Sequence, residues 1–431
     1  MKVLRVPPPD TTEKEGLTQM TDNATLYAGG LVFDGLNAPT GGQAVLVENG
    51  RITKVAPAAT FDGFAGTKVD TTGATLMPGL IDCHVHVCHG AEANPAEGVD
   101  RLTASGVGLR ALEHARRTLE GGIVAVRDCG GKDYIDLDVR DALNAGRFPG
   151  PVMRASGRMI CMTGGHGNRW GLVADGVEDV IKAVRTNVHK GVDVIKIMAT
   201  GGVMTPGVNP EDAHYTAAEM AAGISEARRF NKRTASHAQG AEGILNAVRG
   251  GIHSIEHGIF MNEECIAEMI DRGVFLVPTL AAVKNILLNR DKGIPAWAVE
   301  KSERVYDVHL QAFKDYIAAG GRVAMGTDAG TPFNIHGANA WELAFMAEAG
   351  MPALDALIAG TSNAAELVDP GDRGVVRDGA VADFLLVPGN PAEDISAAAD
   401  RTRHLAVIKD GTTVSGSTTE SPAARLQAAA V

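Results

Sequence analysis

The stretch GLIDCHVHV, residues 79–87, is short, almost wholly apolar and closes on two histidines, His84 and His86. Such a run suits a strand buried on both faces, as in a parallel sheet. Seven later stretches share its texture: GIVAVRDCG (122–130), PVMRASGRMI (151–160), DVIKIMATGG (193–202), RTASHAQG (233–240), HSIEHGIF (253–260), VFLVPTL (274–280) and RVAMGTDAG (322–330). Ala/Glu/Arg-rich stretches with helical spacing lie between them, among them AAEMAAGISEARRFN (217–231) and GILNAVRGG (243–251). Eight strand–helix repeats predict an α/β fold, a (β/α)8 TIM barrel over 81–364. In that fold the catalytic residues sit at the C-terminal ends of the strands.

The flanks read differently. TLYAGGLVFDG (25–35) and AVLVENGRITKVAP (44–57) are short β-type runs broken by glycine turns, and ENGR is a hairpin signal. The same texture returns in GVVRDGAVADFLLVPGN (374–390) and LAVIKDGTTVSG (405–416). This predicts one small β-sandwich domain built from both ends, residues 23–80 plus 365–416, with loose tails at 1–22 and 417–431. A net charge of −12 argues against nucleic acid or an anionic membrane as a partner. Five scattered cysteines do not form a secreted disulfide framework. No run approaches the length of a membrane span or a signal-peptide core, so a soluble cytoplasmic protein is expected.

The polar residues of the eight runs collect near their last positions. The first has His84 and His86, the fourth Lys196, the fifth His237, the sixth His257 and the eighth Asp328. Strand side chains alternate faces, so His84 and His86 point the same way and can grip one ion. Imidazole suits zinc and similar metals. A single strand-end histidine has a bland reading as a hydrogen-bonded structural residue, which convergence on one rim weakens. Lys196 interrupts the apolar VIKIMAT. A buried ammonium is costly unless paired or altered, and burial favours the neutral amine of a lysine. A neutral amine can add CO2 to give a carbamate, an anionic ligand able to bridge two cations. A lysine salt-bridged to Asp328 is the competing reading; the surrounding histidines favour the carbamate.

Together these residues resemble the amidohydrolase superfamily, with PGLIDCHVH (78–86) and GTDAG (326–330) like its opening and closing signatures. IKIMATGG (195–202), SHAQG (236–240) and SIEHG (254–258) are similar to its metal-dependent prolidase-like and imidazolonepropionase-like branch. The resemblance implies a binuclear centre of two divalent ions, zinc as a rule. It places one ion on His84, His86 and Asp328 and the other on His237 and His257. A CO2-derived carbamate on Lys196 and a hydroxide bridge them. It implies a small-molecule amide or carbamoyl substrate and a homo-oligomer. The expected reaction is attack of the bridging hydroxide on a C(=O)–N bond, with Asp328 as general base and then acid. The leading substrate is the amide of a dipeptide or N-acyl amino acid; a carbamate or phenylurea fits the same centre. A deaminase, usually mononuclear and without the lysine, and a non-catalytic scaffold of the same fold are the rivals.

Substrate contacts are expected from the loops. His166 in CMTGGHGNRW (161–170) resembles the branch's histidine that meets the substrate carbonyl or carboxylate, or else caps a turn. Tyr215 resembles a carbonyl-assisting tyrosine, or packs a helix start. Arg169 pairs with a substrate carboxylate or lies on the surface. His89 is expected beside the pocket without a metal, Asp82 as a group orienting a histidine or closing the barrel floor, and His253 and His336 in structural roles.

Overall fold

The computed structural model describes residues 24–419, so the expected tail 1–22 and most of the tail 417–431 lie outside the described residues. The chain forms an α/β fold with parallel-strand sheets. One sheet of three parallel strands holds Leu80–Val85, Ile123–Asp128 and Val152–Ala155 in that order. A second, of six, runs Leu172–Val173, Ile160–Cys161, Val194–Met198, Arg233–Ala238, Ser254–His257 and Phe275–Val277. Every residue of Leu80–Val85, Ile123–Asp128 and Val194–Met198 is buried, which explains their largely apolar character and makes Asp82, His84, Arg127, Asp128 and Lys196 stand out. Helices separate the strands, and neighbours in sequence pack side by side: Val177–Lys190 on Ala217–Arg229, and Ala217–Arg229 on Ala241–Gly250.

Two of the eight expected strands depart from the prediction. The third splits into Val152–Ala155 and Ile160–Cys161, because Gly157 between them takes φ 66°. The eighth is no continuous strand. Segment 322–329 touches its neighbours by isolated bridges, Val323 to Leu276 and Ala329 to Val85. Asp328 at φ 60° and Gly330 at φ 104° leave the extended region, which stops regular pairing. The segment still hydrogen-bonds the first strand, Cys83 N to Met325 O at 2.9 Å and Asp328 N to His84 O at 2.7 Å.

Two further sheets come from the flanks. One holds Arg51–Pro57, Gln43–Glu48, Thr25–Ala28 and Thr67–Asp70. The other holds Thr412–Gly416, Ala406–Lys409, Phe384–Pro388, Ala74–Pro78 and Leu31–Val32, joining strands from both ends of the chain. Tyr27, Val45 and Ile52 of the first share one apolar cluster with Leu76, Phe384 and Ile408 of the second. All five cysteines are buried and free. Among the described residues no helix is long and apolar enough to cross a membrane.

Candidate metal centre

Four histidines stand together, and each is held by one ring nitrogen. His84 Nδ1 lies 2.8 Å from Glu256 Oε2, and His86 Nδ1 lies 2.9 Å from Gly130 O. His237 Nε2 lies 2.8 Å from Gly201 O, and His257 Nδ1 lies 2.7 Å from Thr279 Oγ1. The carboxylate and carbonyl partners fix the N–H on the anchored nitrogen, so the other nitrogen offers its lone pair. The rings form a chain: His86 to His84 at 5.3 Å, His84 to His257 at 5.2 Å, His257 to His237 at 4.6 Å.

Asp328 and Lys196 complete the group. Asp328 Oδ1 is buried with no hydrogen-bond partner, yet it faces His86 Nε2 at 3.3 Å and His84 Nε2 at 3.6 Å. Lys196, 1% exposed, puts Nζ 3.4 Å from His84 Nε2. The ligand atoms of His84, His86 and Asp328 all lie within 4.8 Å of one another. An orphaned carboxylate oxygen between two lone-pair nitrogens fits a divalent ion, and a mixed N/O set suits zinc or its neighbours. His237 and His257 supply two more nitrogens, with Lys196 alongside.

The electrostatics agree with ligand duty. Burial drives His84 and His237 well below the ordinary imidazole value and His257 down to about 3, so these rings stay neutral. Burial also lowers His86, but the nearby Asp328 carboxylate outweighs it and leaves His86 raised. Burial pushes the Asp328 carboxyl up, and His84 and His86 more than reverse that, so it remains ionised. His257, Thr279 and Asp328 all take positive φ, 73°, 52° and 60°. Non-glycine residues rarely adopt that region, and such strain gathers at functional sites. A second buried trio, His84, Cys129 and Glu256, is also close enough for a metal. There Glu256 is already paired with Arg127, and burial pushes the Cys129 thiol up to about 12, so hydrogen bonding describes it better.

The centre opens into a cavity of about 430 Å3 whose lining includes Met159, Met198, Val203, Ile259 and Ile286. His166 lines it, its ring 4.3 Å from that of His237 and its Nδ1 2.7 Å from Thr205 Oγ1. Arg169 lines the mouth but is half-exposed and pairs with Asp100, Nε to Oδ2 at 2.6 Å. Tyr215 is not among the residues lining this cavity, in keeping with the packing alternative. The chain doubles back through a Thr200–Ala213 bridge, and the buried Tyr215 hydroxyl donates to Ala174 O at 2.8 Å. His89 borders the cavity, stacked 4.9 Å from His86. His253 Nδ1 accepts from Thr234 N at 3.1 Å, and His336 stacks on His114 at 4.4 Å.

Three residues were not singled out from the sequence. Arg127 bonds Cys83 O (2.6 Å), Ser254 Oγ (3.1 Å) and Glu256 Oε1 (2.8 Å), and Glu256 in turn orients His84. The signal was available: a charge inside an apolar strand, in AVRD and SIEH, demands a partner. Thr279 had no such mark. Asp82 accepts from His84 N at 3.0 Å, Thr327 N at 3.1 Å and Thr327 Oγ1 at 2.6 Å. It thus fastens the backbone of the first strand to that preceding Asp328.

Comparison with known proteins followed the same lines. The sequence model described as "Amidohydrolase family" matches residues 75–414. Ochratoxinase from Aspergillus niger is 31% identical over 409 residues, covering 87% of this chain and 84% of that protein. The crystal structure of a Xaa-Pro dipeptidase with bound methionine superposes with TM-score 0.84 at 30% identity, over 91% of this chain and 99% of that one. A prolidase complexed with N-methylphosphonate-L-proline gives TM-score 0.82 at 31% identity, over 91% and 99% of the two chains.

Proposed function

We propose, for a chain that belongs to the amidohydrolase family and is an enzyme acting on amide bonds, that this centre hydrolyses the C(=O)–N bond of a dipeptide or an N-acyl amino acid. His84, His86 and Asp328 would hold one divalent ion, His237 and His257 a second, with Lys196 as a carbamate between them. Two bound ions would supply a nucleophilic hydroxide near neutral pH and polarise the substrate carbonyl. The Asp328 carboxylate, which would hold the ion through Oδ1, would take the proton from the attacking oxygen and return it to the departing nitrogen. Burial pushes His166 down to about 3, so it stays neutral. With Nδ1 on Thr205, its other nitrogen can donate to the substrate carbonyl or carboxylate. The two parallel sheets, joined through 322–329, support a (β/α)8 barrel over 81–364 with this centre at the strands' C-terminal ends. The flanking sheets support a β-sandwich domain, 23–80 plus 365–416.

The observation that carries the reading is the anchoring of all four histidines beside the orphaned Asp328 Oδ1. A carbamate or phenylurea substrate is favoured by one other. Among the described residues the cations lining the cavity are Lys196 and Arg169, and Arg169 is already paired with Asp100. One experiment separates these. The zinc-loaded protein is incubated with dipeptides, N-acyl amino acids, carbamates and ureas, and released amine is detected. Release from carboxylate-bearing amides supports the first reading, and release from neutral carbamates or ureas alone supports the second. No release from any of them would sink both.

A further inference from the structure

Residues 202–208 cover part of the cavity without secondary structure of their own; Val203, Met204, Thr205 and Pro206 line it. Its turns at 203–204 and 206–207 are local, and among the described residues no backbone–backbone hydrogen bond ties 202–208 to another segment. The fastenings lie just outside the segment, Gly201 N to Asp212 O at 3.0 Å and Asn209 N to Asp212 Oδ2 at 2.7 Å. A segment held only at its ends should not keep a defined inner face.

One side chain supplies the missing ties. Lys301, on helix Ala296–Ala318, reaches Gly202 O at 3.3 Å, Thr205 O at 2.7 Å and Val208 O at 2.5 Å. An ammonium has three N–H donors, so each finds a carbonyl of the same segment. The helix also supplies apolar support, since Val203 clusters with Ile259, Val283, Ile286, Ala298 and Val305. On its other side the segment meets His166. Thr205 Oγ1 is its 2.7 Å partner, and Gly202 lies so close that a Cβ there would stand 2.7 Å from the ring.

We propose that Lys301 is a positioning residue of the substrate cavity. By gathering the carbonyls of Gly202, Thr205 and Val208 it seats 202–208 as the cavity's roof, with Val203 on the apolar wall and Thr205 on His166. The clamp borders the metal-ligating set at Gly202, one residue after Gly201, but Lys301 itself bonds no ligand side chain. Gly201, on which His237 rests, is fastened separately by Asp212. Loss of Lys301 should therefore loosen substrate binding more than chemistry.

The test compares Lys301→Met with Lys301→Arg, which keeps a multidentate cation. The first readout needs no substrate: subtilisin digestion of the zinc-loaded protein, with the cut located by mass spectrometry. Lys301→Met should be nicked within 202–208 about tenfold faster than wild type at unchanged zinc content, and Lys301→Arg close to the wild-type rate. The second readout rests on the hydrolase reading: KM should rise about tenfold in Lys301→Met with kcat within about threefold, and Lys301→Arg should restore KM. Unchanged nicking, or a fall in kcat at constant KM, overturns the proposal. If wild type turns over no amide, carbamate or urea, the hydrolase reading fails while digestion still decides the role of Lys301. Should Lys301→Met not fold, Lys301→Gln takes its place in the same digestion.

Discussion

Asp328 combines a strained backbone, an ionised carboxylate and an oxygen with no hydrogen bond. Replacement by asparagine keeps the shape and removes the charge and the basicity. Turnover in Asp328→Asn should fall by about 10²–10⁴ while the chain still folds; steady-state kinetics beside a circular-dichroism spectrum checks it, and near-normal turnover would refute the role. Glu256 acts one step further back. It accepts the hydrogen bond of His84 Nδ1–H and neutralises buried Arg127. Glu256→Gln should weaken metal binding by about 10–100-fold, read by chelator competition. It should also cost roughly 3–5 kcal/mol of stability, because Arg127 is left buried without its counter-charge. Unaltered metal affinity would make Glu256 a packing residue only.

At the scale of elements, Glu342 shows how a helix is fixed over the cavity. Helix Leu280–Leu288 begins with its first two amides bonded to the buried Glu342 carboxylate, Leu280 N at 2.7 Å and Ala281 N at 2.8 Å. Ala282, Val283 and Ile286 of that helix line the cavity. Burial raises the Glu342 carboxyl from 4.5 to about 8, although the two amides pull the other way. Between those values the folded protein binds this proton more tightly than the unfolded chain does. The contribution to stability is therefore fully present below the unfolded value and lost as pH rises through the folded one. Glu342→Gln carries no such proton. The melting-temperature difference between variant and wild type should move in the variant's favour from about pH 5 to about pH 9. A difference that stays constant across that range would show that Glu342 does not titrate there.

Across the whole molecule, the candidate ligands come from positions as far apart as 84 and 328, on five segments. Two ions bound by these residues, with Lys196 shared between them, would tie both parallel sheets and the 322–329 segment together. Stripping the metal with a chelator should thus lower the calorimetric midpoint by several degrees, since a ligand at a thousandfold excess over its Kd adds about 4 kcal/mol. Zinc should restore it, and a midpoint indifferent to chelator would count against a metal at this place.

Much of this was legible in the sequence because it depends on local periodicity. Apolar runs of strand length, spaced by helical stretches, foretold parallel sheets. A period of two put His84 and His86 on one side, and a lysine inside VIKIM stood out as a charge needing a reason. What stayed hidden depends on chain reversal and on partners remote in sequence. Tyr215 turns away because of a bridge between Thr200 and Ala213, and Arg169 is taken by Asp100, 69 residues earlier. The eighth run has strand-like composition, but Asp328 and Gly330 leave the extended region, so no regular ladder forms. Sequence by itself determined which residue types recur at which strand ends. Only the tertiary structure decided which ring nitrogen each histidine has left, which charges are already paired, and what roofs the cavity, because those are set by distances between segments that local pattern does not encode.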